Sequence, residues 1–91
     1  MLNLGELLSM GYVQDGDVLY WTQPRLGLTH SATIKRGGQV VTSDGTAYRS
    51  LSGAARHYYQ KPIDGWYNWR LERTGQRLDE VRKNAMAGKT L

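Results

Sequence analysis

A chain of 91 residues has room for one hydrophobic core, and its 40% hydrophobic and 22% charged residues describe a folded domain, not a disordered one. Cysteine is absent, which excludes disulfides, thiolate zinc sites and a cysteine nucleophile. The net charge is +4, yet residues 1–24 carry only Glu6, Asp15 and Asp17 while all 12 basic residues lie in 25–91, a bias that points to a polyanionic partner, most often nucleic acid.

Leu2, Leu4, Leu7 and Leu8 share one stripe at helical spacing. With Asn3 as N-cap and Gly11 as C-cap they predict a short helix over 3–10. Gln14-Asp15-Gly16-Asp17 is a turn signature, and Val18-Leu19-Tyr20-Trp21 is a strand of β-formers. Pro24 and Gly27 bracket a loop before a half-buried strand over 29–35. Arg36-Gly37-Gly38 connects that strand to Gln39–Thr42, and Asp44-Gly45 turns the chain into Thr46-Ala47-Tyr48. Ser50 is a good N-cap for a helix over 51–60 that stops near Pro62. Asp64-Gly65 reads as a turn into an aromatic strand, Trp66 to Arg73, and Gly75 separates it from a last helix, Gln76 to Ala87. Leu78, Val81 and Ala85 form the apolar stripe of that helix, with Asp79 and Lys83 paired on its other side. The order α-β-β-β-β-α-β-α predicts a small α+β domain: an antiparallel β-meander with a helix packed on it and short terminal helices.

No segment is long and apolar enough for a membrane span, since the longest stretch without a charged residue is Leu26–Ile34. Glu6 and the lack of a basic start argue against a signal peptide. The expected setting is the cytoplasm, nucleoid-associated if bacterial, with no membrane partner.

Enzyme signatures are missing. His30 and His57 lack metal-ligand spacing, no G-x-S-x-G elbow is present, and no Gly-rich phosphate loop occurs. Pro62-Ile63-Asp64 followed by Glu72-Arg73-Thr74 approaches a nuclease pattern, but Thr74 stands where a charge-stabilising lysine is needed. The expectation is no catalytic residue, no metal and no cofactor, with His57 an exposed polar residue.

The informative segment runs from Arg49 to Arg73. Leu51, Ala54, Ala55 and Tyr58 share the face of the helix that packs on the sheet, and Ser52, Arg56 and Gln60 share the opposite arc. Ser50 and Ser52 at a helix N-terminus either cap it alone or cap it and bind a phosphate. If Trp66-Tyr67-Asn68-Trp69-Arg70 is a strand, Trp66 and Asn68 face one way and Tyr67 and Trp69 the other. One tryptophan then packs under the helix, and the other either caps a rim or offers a surface to a ligand base.

Arg49-Ser50-Leu51-Ser52-Gly53-Ala54-Ala55 followed by Asp64-Gly65-Trp66-Tyr67-Asn68-Trp69 resembles the signature of the RAMA domain, the restriction enzyme and adenine methylase associated domain. That signature is a Ser-x-Ser-x-Ala-Ala helix start, a spacer, then Asn-Gly-Trp with a second aromatic three residues on. Gly16-Asp17-Val18-Leu19-Tyr20 and Asp44-Gly45 resemble the family's opening strand and second turn. The motifs cover roughly residues 5–73 and leave the last helix outside. The division implied is a DNA-binding domain over 1–75 and a C-terminal amphipathic helix and tail over 76–91.

The resemblance implies a non-catalytic module that binds double-stranded DNA, methylated or otherwise modified in some members. Such modules occur fused to or associated with nucleases, methyltransferases and defence proteins. Ser50, Ser52 and Trp66 are the contacts it implies. Arg49, Arg56, Lys61 and Arg70 are the cations placed to neutralise phosphates, with Asn68 beside them. Trp66, Tyr67, Trp69 and Asp64 are the candidates for a pocket that takes a flipped base. Asp64 replaces the family's usual Asn, and a carboxylate repels phosphate, so Asp64 either closes the turn or reads an exocyclic amine. Two other readings compete: a protein-interaction module whose basic face docks an acidic partner or enzyme domain, and single-stranded RNA binding by stacking.

Overall fold

The Asn3 side chain accepts from the Glu6 amide while the Glu6 carboxylate accepts from the Asn3 amide, a capping box that starts helix α1 (Leu4–Ser9). Leu4 and Leu7 are buried, with Leu2 and Leu8 packed at the margin. The computed structural model describes residues 1–88, and in it α1 leads into four strands: β1 (Val18–Gln23), β2 (Leu28–Lys35), β3 (Gln39–Thr42) and β4 (Ala47–Tyr48). Helices α2 (Leu51–Tyr58) and α3 (Gly65–Asn68) follow, then a two-residue strand β5 (Arg70–Leu71) and helix α4 (Leu78–Met86). The sheet order is β4-β3-β2-β1-β5 with every pair antiparallel. This is the small α+β fold expected, a meander with β5 added on the open side of β1. Residues 89–91 of the expected tail lie outside the described residues.

Register sorts the strand residues into two faces. Leu19 pairs with Ala32 and Leu71, Ala32 with Thr42, and Ile34 with Val40, so all of these face one side. The apolar ones form one buried cluster with Leu4 and Leu7 of α1, Leu51, Ala54 and Ala55 of α2, and Leu78, Val81 and Ala85 of α4. The other face keeps Thr22, Thr29 and Ser31 exposed. The helices are therefore a single layer on one side of the sheet, and the opposite side meets solvent.

The segment from Trp66 to Arg73 is not a strand. Asp64 accepts from the Trp66 amide at 3.0 Å and caps the one-turn helix α3, and only Arg70 and Leu71 pair with β1. The side-chain alternation expected for Trp66–Trp69 is replaced by helical placement. The aromatic residues suggested a strand, but the Asp-Gly start and the packing of α3 on α2 override that local preference. α2 ends at Tyr58, two residues before the expected end, because Tyr59 turns to an extended conformation and sets its ring against Trp21 at 6.3 Å.

Trp69 is fully buried. Its indole Nε1 donates to the Leu51 carbonyl at 2.9 Å, and its ring meets Trp21 and Tyr58 edge-on at 5.8 and 6.4 Å. It is the tryptophan that packs beneath α2, and the polar bond makes that burial inexpensive.

Asp17 closes the loop before β1. Burial opposes its charge, but two bonds from the Arg73 guanidinium (2.8 and 3.1 Å), the Gln14 amide and the Arg73 charge together hold its carboxyl below the ordinary value. A carboxyl lowered in the fold stabilises it above the unfolded pKa and loses that contribution as pH falls. The expected result is a thermal midpoint that is flat near neutrality and drops below about pH 4. In Asp17→Asn the midpoint is lower at neutral pH and the acid drop shallower, as measured by circular dichroism across pH.

Candidate functional site

Ser50, Ser52, Gly65 and Trp69 form a clasp between two helix starts. The Ser50 hydroxyl oxygen accepts from the Gly53 amide at 2.9 Å and caps α2. The Ser52 hydroxyl oxygen accepts from the Gly65 amide at 3.0 Å and so ties α3 to the first turn of α2. Gly65 has no room for a side chain, since a Cβ there would overlap the backbone of Leu51 and Ser52. Trp69 bonds the Leu51 carbonyl from below. Each seryl oxygen thus serves a backbone amide and keeps one O–H to donate.

The aromatic pocket expected from Trp66, Tyr67, Trp69 and Asp64 does not assemble as one. Trp69 is enclosed, and a ligand base has no access to its faces. Trp66 is half-buried with the Arg82 guanidinium of α4 over its ring at 3.9 Å. Tyr67 is 53% exposed, and Arg77, at the start of α4, lies 4.6 Å from its ring centroid. Asp64 caps α3, which is the turn-closing role.

Tyr67 belongs instead to a cleft at the edge of the sheet. β5 pairs with β1 only at Leu19 and Tyr20, so beyond Tyr20 the β1 edge has no strand beside it on that side. The gap is a cleft of about 270 Å³ lined by Tyr20, Trp21, Thr22, Pro24, Tyr67, Asn68, Arg70 and Arg77. Among the described residues it contains two arginines and no carboxylate. Arg70 Nη1 donates to the Gly75 carbonyl at 2.9 Å, and the Asn68 amide donates to the Asp64 carbonyl at 2.8 Å, so both side chains are held in place. The volume lies just below the ~300 Å³ at which drug-sized pockets begin, a size for one planar ring against Tyr67.

Sequence reasoning had singled out Tyr67, Asn68 and Arg70, and the fold brings these three together. Arg49, Arg56 and Lys61 are exposed and form no ion pair among the described residues, where Arg73 and Lys83 do. Tyr20, Trp21, Thr22, Pro24 and Arg77 are not marked by the sequence, because their convergence depends on β5 joining β1 across some 50 residues of chain. The sequence alone predicts an exposed His57. It is half-buried, with Nδ1 2.7 Å from the Tyr48 hydroxyl and Nε2 3.0 Å from Asp44. Hydrogen bonds from the Thr42 hydroxyl and from Thr46, with His57 nearby, hold the Asp44 carboxyl down to about 2. This network fastens α2 to the β3–β4 turn.

Compared with known proteins, residues 1–90 match the family model described as Restriction Enzyme Adenine Methylase Associated. The match takes in α4, which the motif resemblance had left outside. No curated protein matches the chain.

Proposed function

The chain belongs to the Restriction Enzyme Adenine Methylase Associated family, and from that premise we propose that it is a non-catalytic module that binds double-stranded DNA, senses modified bases and targets a restriction or modification enzyme. The family is an associated module of such enzymes, not a catalytic one. The observation that carries the reading is the cleft beside Tyr67, which among the described residues joins a half-exposed tyrosine ring to two guanidinium groups, one of them over that ring, and no carboxylate. An aromatic ring stacks a base extruded from the duplex, and Asn68 offers an amide to its edge. Arg70 and Arg77 take the flanking phosphates. The cations Arg49, Arg56 and Lys61, which form no ion pair among the described residues, add sequence-independent attraction, and the spare O–H groups of Ser50 and Ser52 supply donors beside Arg49.

A fluorescence-anisotropy titration of one duplex tests this in unmodified, N6-methyladenine and modified-cytosine forms at two salt concentrations. Binding that weakens with salt and is tighter for one modified form is the expected result. Arg56→Ala is expected to reduce the log–log salt slope by about one and to leave the preference among the three forms unchanged. Equal affinities for all forms remove the sensing role and leave a general DNA anchor. No binding leaves the protein-interaction reading, in which the same cations dock an acidic partner.

A further inference from the structure

Resting on the DNA reading above, we propose that the tip of the β1–β2 hairpin is a wedge that enters the base stack, with Leu26 the inserted side chain and Arg25 its anchor on the backbone. The tip is one 3₁₀ turn, Pro24–Leu26, closed by the Gly27 amide on the Pro24 carbonyl at 3.1 Å, with Gly27 left-handed at φ 63°. Its apolar side chains face water: Leu26 is 61% exposed and Leu28 47%. Solvent-facing turns are ordinarily built of Gly, Pro, Asn, Asp and Ser, so Pro24 and Gly27 are ordinary here and Leu26 is not. A protruding leucine beside a proline and an arginine is the composition that partly unstacks base steps in proteins that kink DNA.

Three further features favour this occupant. The tip is rigid, because His30 Nε2 and Gln23 Oε1 lie 2.6 Å apart across its base and the His30 ring packs on Trp21 at 5.1 Å. A preformed wedge loses little conformational entropy on insertion. Its charge matches phosphate: Arg25 is the one charged residue in 18–34, and it sits on the tip itself. Finally, Pro24 lines both the Tyr67 cleft and the surface formed by Arg25, Leu26 and Tyr59. A base displaced at Leu26 therefore has the Tyr67 cleft next to it, which joins the step that opens the stack to the pocket that holds the base.

The test uses the full chain and a duplex carrying the fluorescent adenine analogue 2-aminopurine, whose emission rises when it unstacks. Wild type is expected to bind and raise the emission, and Leu26→Met to do the same. Leu26→Ala, at an exposed position that leaves the core untouched, is expected to lose most of the rise while its affinity falls by about tenfold or less. An unchanged rise with Leu26→Ala overturns the wedge. So does a wild type that binds the duplex without any rise, and in that case the DNA reading survives. A wild type that binds no duplex removes both, and leaves Leu26 as a protein-docking residue.

Discussion

Gly65→Ala is expected to cost about 3–5 kcal/mol of stability, a large part of the about 5–14 kcal/mol available to a domain of this size. The cause is the close approach of two backbones. A Cβ on Gly65 would overlap the Leu51 carbonyl carbon and the Ser52 amide nitrogen, and would lie 2.5 Å from the Leu51 oxygen. None of these atoms can move aside as a flexible side chain would. α3 must therefore lift away from α2, which strains the bond from the Gly65 amide to the Ser52 hydroxyl and the bond from Trp69 to Leu51. At about 4–8 °C per kcal/mol, the thermal midpoint falls by tens of degrees in a melting experiment. Gly45→Ala is the control: it too places a methyl group, but at φ 88° with nothing within 4 Å, and it should cost only about 1–2 kcal/mol. If the two variants melt alike, the clasp is not what holds α3 to α2.

The clasp also shows how a sequence signature divides between fold and function. Ser50, Ser52, Ala54, Ala55, Gly65 and Trp69 are six of the residues that carry the family resemblance; of the others, Asp64 caps α3 and Trp66 is half-buried beneath the Arg82 guanidinium. Ser50 and Ser52 engage backbone amides, Ala54 and Ala55 are fully buried, and Gly65 and Trp69 meet the Leu51 backbone. Recognising the motif therefore identified the fold more directly than it identified a ligand site.

Local signals were legible where the chain answers to its near neighbours. The Asn3 cap, the Asp44-Gly45 turn, the Asp79–Lys83 pair at 3.2 Å and the packed face of α2 all follow from spacings of a few residues. α3 was not legible because it is a single turn of aromatic and small residues whose stability comes from packing on α2 rather than from propensity. The Tyr67 cleft was only half legible. Tyr67, Asn68 and Arg70 are adjacent in sequence, while Tyr20, Thr22 and Pro24 reach them only through the pairing of β5 with β1. Arg77 sits where α4 begins, and nothing in its own segment marks it as facing Tyr67.

Arg70→Gln combined with Arg77→Gln is expected to produce the largest loss of DNA affinity, about 2–4 kcal/mol or roughly 30- to 1,000-fold at low salt. Among the described residues the two guanidiniums are the only charged groups in the cleft lining, so removing both takes away the cations proposed to hold the phosphates on either side of a captured base. The salt slope should fall by about two, against about one for Arg56→Ala. Folding should be nearly unaffected. The double variant gives up one bond to the Gly75 carbonyl and one cation–ring contact with Tyr67, each worth about 1 kcal/mol or less. The preference between modified and unmodified duplex separates a pocket from an anchor. If the cleft holds the base, the double variant loses preference along with affinity, because the base is no longer fixed against Tyr67. A variant that binds weakly but keeps the full preference places the reading of the base elsewhere and leaves the cleft as a phosphate clamp.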